Sequence, residues 1–303
     1  MTAWMFPGQG SQRPEMAAGL AACSEMFSAA EPLVDADLER LCTVDPKPSW
    51  PAEVLQPALF ITSCGAARAM QASGQSPQAV VGHSLGEYAA LVAAGALEFE
   101  GALNVVSIRG RAMTAAARAN PGGMAAVLGL DRAAIIEICD DNEGVWIANL
   151  NSPTQTVISG KDTPLANAAD QALRAGAKRV VRLDVPMAGH SPLMAPAAEE
   201  LAAALDATEV RAPSCVFYSV ADASPHTEPA EIRQLLVSAL TSPVRFTETV
   251  ERMQKDGLDE FVEVGPGSVL GNLVKRTITG VSIGSVSSDE DAAKEPSKIL
   301  AGV

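Results

Sequence analysis

The chain has 303 residues, 48% of them hydrophobic and 19% charged, the balance of a globular protein with a large core rather than a disordered or fibrous one. Its 22 basic residues against 36 acidic ones leave a formal charge of −14, which repels nucleic acid and anionic membrane surfaces and argues against both as partners. The longest apolar runs are too short to span a bilayer, "MTAWMFPGQG" carries no signal-like pattern, and Cys23, Cys42, Cys64, Cys139 and Cys215 show no metal-ligand spacing, so a cytoplasmic protein with reduced thiols and no metal is expected.

Taken in chain order, "AWMF" reads as a first strand ending in the glycine-rich turn "PGQGSQ". "QAVVG" reads as the strand before Ser84, and Gly86 to Leu97 as the helix after it. Between Met124 and Val185 the order is strand "MAAVLGL", helix "DRAAIIEICDDN", strands "VWIANLNS" and "QTVISG", helix "DTPLANAADQALRAG" and strand "RVVRLDV". That βαββαβ order is the ferredoxin-like unit. "CVFYSV" and "DEFVEV" read as later strands, the second running into "GPGSVLGNLVKR". The fold expected is α/β: an α/β-hydrolase-like large subdomain with a parallel sheet, residues 1–122 and 187–303, carrying a ferredoxin-like small subdomain, residues 123–186. A cleft between them is the natural ligand site. The last stretch, "SVSSDEDAAKEPSKILAGV", reads as a polar surface tail.

Ser84 lies in "GHSLG", directly after an apolar strand and before a helix. A serine hydroxyl attacks only when a base takes its proton, and a strand-to-helix elbow presents it over a helix N-terminus. The chain offers three histidines as that base. His83 adjoins the serine, where neighbours at an elbow point apart, and is expected to pack or bond locally. His226, in the turn-rich "ADASPHTEP", reads as an exposed loop histidine. His190, in "DVPMAGHSPLM", follows a strand at the end of the inserted unit and suits a base at the cleft. No acidic residue is marked as a third member, so a Ser84–His190 dyad is expected, the imidazole oriented by a main-chain carbonyl.

These motifs resemble the malonyl-CoA:acyl carrier protein transacylase family, including the acyltransferase domains of polyketide synthases. The resemblance runs in order through "FPGQGSQ", "QPALF", "GHSLGEYAAL", "RGRAM", "GGMAAVLGL", "NLNSPTQTVISG", "GHSPLM", "SPVRFTETV" and "VEVGPGSVLGNLVKR", nearly the whole chain. It implies that Ser84 takes an acyl group from a pantetheine thioester and that a carrier-protein thiol removes it, with His190 as base and then acid. It also implies an oxyanion hole from the backbone amides of Gln9 and Leu85, and a grip by Arg109 on the free carboxylate of a malonyl-type group, for which a guanidinium fork is suited. It implies further that no cofactor is held permanently and that acyl-CoA is the substrate.

Two positions depart from the family pattern. Ala239 in "SALTSPVRF" stands where the family commonly has the glutamine whose carbonyl orients the histidine. "MAGHS", contributing Met187, Ala188 and Gly189, stands where polyketide domains resemble "HAFHS" or "YASHS". The loss of bulk at Gly189 suggests an α-substituted malonyl such as ethylmalonyl and a trans-acting role in polyketide assembly, with malonyl supply to fatty acid synthesis as the alternative. An acyl-carrier editing hydrolase and a non-catalytic binding module remain as further classes; Arg109 and the Gln9, Ser84, His190 set weigh against them. The resemblance implies a monomer, and an acidic carrier protein would dock on Lys178, Arg179 and Arg182 or Lys275 and Arg276.

Overall fold

The computed structural model describes residues 1–44 and 50–300. Among the described residues ten strands form two sheets: β1 (Thr2–Phe6), β2 (Ala79–Gly82), β3 (Gly122–Leu128), β4 (Val145–Ser152), β5 (Gln155–Lys161), β6 (Arg179–Arg182), β7 (Val216–Ser219), β8 (Ser224–His226), β9 (Glu260–Val264) and β10 (Ser282–Val286). The large sheet has the order β10-β9-β1-β2-β7-β8, parallel except for β8, which pairs antiparallel with β7. Its central strands are mostly apolar and buried along nearly their whole length, as strands covered by helices on both faces are. Helices Ala52–Ala72, Gly86–Ala93, Phe99–Ala119 and Ala195–Asp206 pack on one another around one core cluster. Helices Phe246–Lys255 and Val269–Thr277 contribute to the other.

The small sheet has the order β4-β5-β3-β6, all antiparallel, with helices Arg132–Asp141 and Asp162–Arg174 between its strands. This is the ferredoxin-like order, as expected from the sequence. β4 is tied to the large subdomain: Val244 donates to the Ala148 carbonyl and Leu150 to the Val244 carbonyl, each at 2.8 Å. Thr247 donates to the Leu150 carbonyl, and Arg132 pairs with Glu248 at 2.7 Å. The segment reading "SPVRF" thus stitches the two sheets together.

Three expectations are corrected. The C-terminal stretch is not a free polar tail: Val286 ends β10 within the large sheet, and Ala292 and Ile299, on helices Asp289–Ala292 and Pro296–Leu300, are buried in the core. Its apolar residues are too few and too far apart to announce themselves among the charges. The helix after Ser84 ends at Ala93, because Gly95 adopts a left-handed φ of 70° that closes the helix, and residues to Leu97 form its exit turn. His226 is not an exposed loop residue: it lies on β8 at 14% exposure, bonded to Asp222 at 2.9 Å and Glu231 at 3.1 Å. Residues 301–303 of the expected tail lie outside the described residues.

Candidate active site

The elbow at Ser84 follows from two close approaches. A Cβ at Gly86 would lie 1.9 Å from the Phe6 carbonyl oxygen, and one at Gly82 would lie 2.0 Å from the Glu87 amide nitrogen. Only glycine lets the turn fold this tightly between β1 and the helix. Ser84 itself takes φ 54°, a left-handed conformation costly for a residue with a side chain. Strain of this kind persists where the surroundings over-determine it, and here it lifts the hydroxyl off the end of β2. Leu85 is the N-cap of the following helix, whose first amides, Gly86, Glu87 and Tyr88, turn back to the carbonyls of His83, Ser84 and Leu85.

Ser84 and His190 line one cavity of about 120 Å³ together with Gln9, Met113, Met124, Asn149, Asn151, Met187 and Gly189. The sequence-expected residues Gln9, Ser84, Met187, Gly189 and His190 therefore converge from three segments. Ala188 is buried beside them and its carbonyl accepts from the Ser191 hydroxyl at 2.6 Å, while Leu85 packs in the core beneath the elbow. A Cβ on Gly189 would meet the Met124 sulfur at 3.5 Å, an ordinary contact, so crowding does not demand glycine there. A second cavity of about 450 Å³ shares Gln9, Leu183, Val185 and Met187 with the first and extends past Gln12 and Trp50.

His190 is 7% exposed, with Nδ1 2.7 Å from the Ala239 carbonyl. A carbonyl only accepts, so Nδ1 carries the proton and Nε2 keeps its lone pair. Burial, aided by the nearby Arg109 charge, pushes the imidazole down to about 3, against the opposing pull of the Ala239 and Ser242 backbone. It is neutral at pH 7. Ala239 makes this contact through its main chain, so its small side chain does not weaken it.

Arg109 is 2% exposed, on the long helix Phe99–Ala119. Its Nη2 donates to the Ser84 hydroxyl at 2.9 Å and its Nη1 to the Gln56 amide oxygen at 2.7 Å, while the guanidinium sits 5.8 Å from the centre of the Tyr88 ring. Nε is buried without a hydrogen-bond partner among the described residues. Desolvation draws its pKa down against the influence of Tyr88 and Glu87, yet an arginine keeps its charge. Here is a buried cation whose hydrogen-bond partners are neutral, beside a strained hydroxyl. Such an arrangement is costly unless an anion completes it.

Three contributors carried no assigned role in the sequence. Gln56, in "QPALF", joins Arg109 to the loop at Gln9 by donating to the Gln9 side chain at 3.0 Å. Asn151 Oδ1 accepts from His83 Nε2 at 2.9 Å, so His83 bonds across the subdomains rather than locally, and its ring packs 5.6 Å from Phe246. Glu87 is fully buried, and burial raises its carboxyl to about 7 despite bonds from Val220 and Ser219 and the field of Arg109. The available signal was a polar side chain in a segment otherwise buried on every side. Among the described residues no cluster of three His, Cys, Asp or Glu side chains is placed to hold a metal, and no helix is long and apolar enough to cross a membrane.

A family model described as the acyl transferase domain matches residues 3–294. The malonyl CoA-acyl carrier protein transacylase of Haemophilus influenzae is 40% identical, over 94% of this chain and 96% of its own. The solved structure of the malonyl CoA-acyl carrier protein transacylase from Coxiella burnetii superposes with a TM-score of 0.93 at 36% identity, covering 99% of this chain and 98% of that one. A malonyl-transacylase solved in complex with its type II polyketide synthase acyl carrier protein superposes at 0.91 with 36% identity, covering 96% and 98%. By sequence along almost its full length, and by a matching fold, the chain belongs to the acyl transferase domain family.

Proposed function

We propose that the protein moves a malonyl group from coenzyme A to the pantetheine thiol of an acyl carrier protein, through an ester on Ser84. The observation that carries this reading is Arg109, a buried cation bonded only to neutral groups and in contact with the nucleophile candidate. A free carboxylate on the acyl group would complete it, and a lipase or simple thioesterase has no use for it.

The residues divide the work as follows. Nε2 of neutral His190 takes the Ser84 proton as Oγ attacks the thioester carbonyl. Because Arg109 donates to Oγ, the hydroxyl's own hydrogen is left to point to the base. The amides of Gln9 and Leu85 hold the tetrahedral oxyanion, and the imidazolium returns its proton to the departing coenzyme A sulfur. A carrier-protein thiol then attacks the ester, giving its proton to His190, and Ser84 recovers its hydrogen as the new thioester leaves. Arg109 holds the carboxylate throughout, which orients the acyl group for both halves.

The carrier protein is supported as partner by the relative solved with one. Lys178, Arg179, Arg182, Lys275 and Arg276 are all exposed; Arg182 also pairs with Asp162. Charge reversal at these positions is expected to slow transfer to the carrier protein while leaving acylation by malonyl-CoA unchanged, and equal transfer rates would remove them as the docking surface.

A second reading, an α-substituted malonyl group for polyketide assembly, is favoured by the space that Gly189 leaves beside Met124 in the acyl cavity. Intact mass after incubation with equimolar malonyl-, methylmalonyl- and ethylmalonyl-CoA separates the two. A malonyl adduct dependent on Ser84 supports the first reading. A dominant substituted adduct supports the second, and no adduct at all defeats both.

A further inference from the structure

The helix Ala52–Ala72 crosses the helix Phe99–Ala119 closely at Gly110, where a Cβ would lie 2.8 Å from the Ala52 carbonyl oxygen and 2.9 Å from the Glu53 Cα. That crossing brings Gln56, one turn further along its helix, against Arg109, the neighbour of Gly110. Gln56 has no exposed surface, and both ends of its amide are engaged. Oε1 accepts from Arg109 Nη1 at 2.7 Å, while Nε2 donates to Gln9 Oε1 at 3.0 Å and lies 3.3 Å from Met113 Sδ. A guanidinium only donates and a thioether only accepts, so these two neighbours fix which end of the amide faces which.

An amide oxygen orients a guanidinium without neutralising it. A glutamate at this position would have the same length and branching, yet it would pair with Arg109 as an internal anion, and an incoming carboxylate would have to compete for a cation already matched. It would also lose the donor that reaches Gln9 and Met113. As the chain stands, Arg109 Nε is without a partner among the described residues, and its bond to Ser84 is to a neutral hydroxyl. Gln9, held by the other end of the Gln56 amide, lines both the cavity at Ser84 and the larger one beside it. One buried side chain thus ties the cation to the wall of the acyl site.

We propose that Gln56 is a positioning residue that makes the acyl site selective for carboxylate-bearing acyl groups: its neutral amide holds Arg109 beside Ser84 and leaves the guanidinium charge for the acyl group. This rests on the assignment of Arg109 to the acyl carboxylate made above. Gln56 acts through Arg109, and its being an amide, rather than its bulk, decides the outcome.

The test is single-turnover acylation of Ser84 by malonyl-CoA and by acetyl-CoA, followed by intact mass after rapid quenching, in wild type, Gln56→Glu, Gln56→Met, Arg109→Ala and the double variant Arg109→Ala with Gln56→Glu. Gln56→Glu is expected to lower the malonyl-to-acetyl rate ratio by about a hundredfold, because the internal anion takes the charge. Gln56→Met keeps the length and removes the acceptor, and should lower the ratio by about tenfold, the worth of a hydrogen bond to a charged group. In the Arg109→Ala background, Gln56→Glu should move the ratio by less than about twofold. A role in filling the core alone would lower both rates together and leave the ratio unchanged, and that result would overturn the proposal. Should Gln56→Glu not fold, Gln56→Met decides by the same ratio. A preference lost in Arg109→Ala but kept in the Gln56 variants would remove Gln56 and leave Arg109 standing. A ratio that Arg109→Ala does not change would overturn both.

Discussion

Two junctions in the large sheet are built alike and do different things. After β2 and after β9 the chain passes through glycines into a helix, and each junction buries a glutamate whose carboxyl burial raises to about 7. At β9, Glu263 accepts from the Gly271 amide at 2.9 Å and is favoured by those of Leu270 and Val269, so its carboxylate plugs the helix N-terminus. The left-handed conformations there fall on Gly265 and Gly267. At β2, Glu87 points away from its own helix to the end of β7, and the left-handed residue is Ser84. One junction spends its helix amides on an internal glutamate; the other turns its first amides back to the carbonyls of His83, Ser84 and Leu85 and sends its glutamate to β7.

The sharpest break between the junctions is expected at Ser84 itself. Ser84→Ala should abolish the acyl adduct and, like His190→Ala, lower the transfer rate by about a thousandfold or more, read by intact mass and by carrier-protein acylation. The glycines come next. Gly86→Ala drives a methyl into the Phe6 carbonyl at 1.9 Å and should cost about 3 kcal/mol or prevent folding. Gly271→Ala meets the Ile283 side chain at 3.1 Å and Glu263 Oε2 at an ordinary 3.6 Å, and should change stability by less than about 1 kcal/mol, because helix propensity offsets the tight contact. Chemical denaturation of the two variants checks the contrast.

Smaller effects follow from the titrations. Between the ordinary carboxylate range and pH 7 the folded chain holds a proton on Glu263 that the unfolded chain has lost, so this group makes stability fall as pH rises. Relative to the parent, Glu263→Gln should gain about 2 kcal/mol on going from pH 5 to pH 8, measured by denaturation at the two values. His190 has the opposite sign: its depressed pKa means that its contribution is present above pH 6.5 and is lost as pH falls towards 3. The same depression predicts that the rate of Ser84 acylation shows no loss from imidazole protonation down to pH 5.

The alternation of apolar runs with amphipathic ones made the inserted unit and the middle of the large sheet legible, because "AWMF", "AVVG" and "FVEV" are each buried along their length. β10 was not legible, since "SIGSV" buries only part of itself and leads into a run of charges. At the site, Ser84 and His190 stood out by motif and by the scarcity of histidines. Gln56 and Glu87 did not, because a polar residue on a helix reads as solvent-facing until its neighbours are known. Their roles depend on partners 53 and 132 residues away in the chain. His83 shows the same limit, its partner Asn151 being supplied by the other sheet.

The account turns on Arg109 selecting the acyl group that reaches Ser84, and competition tests this most directly. Wild-type protein and Arg109→Ala would each be offered equal malonyl-CoA and acetyl-CoA, and the Ser84 adduct weighed. The account predicts a malonyl adduct on the wild type, and loss of that preference in the variant. A malonyl preference that survives the removal of Arg109 would contradict it.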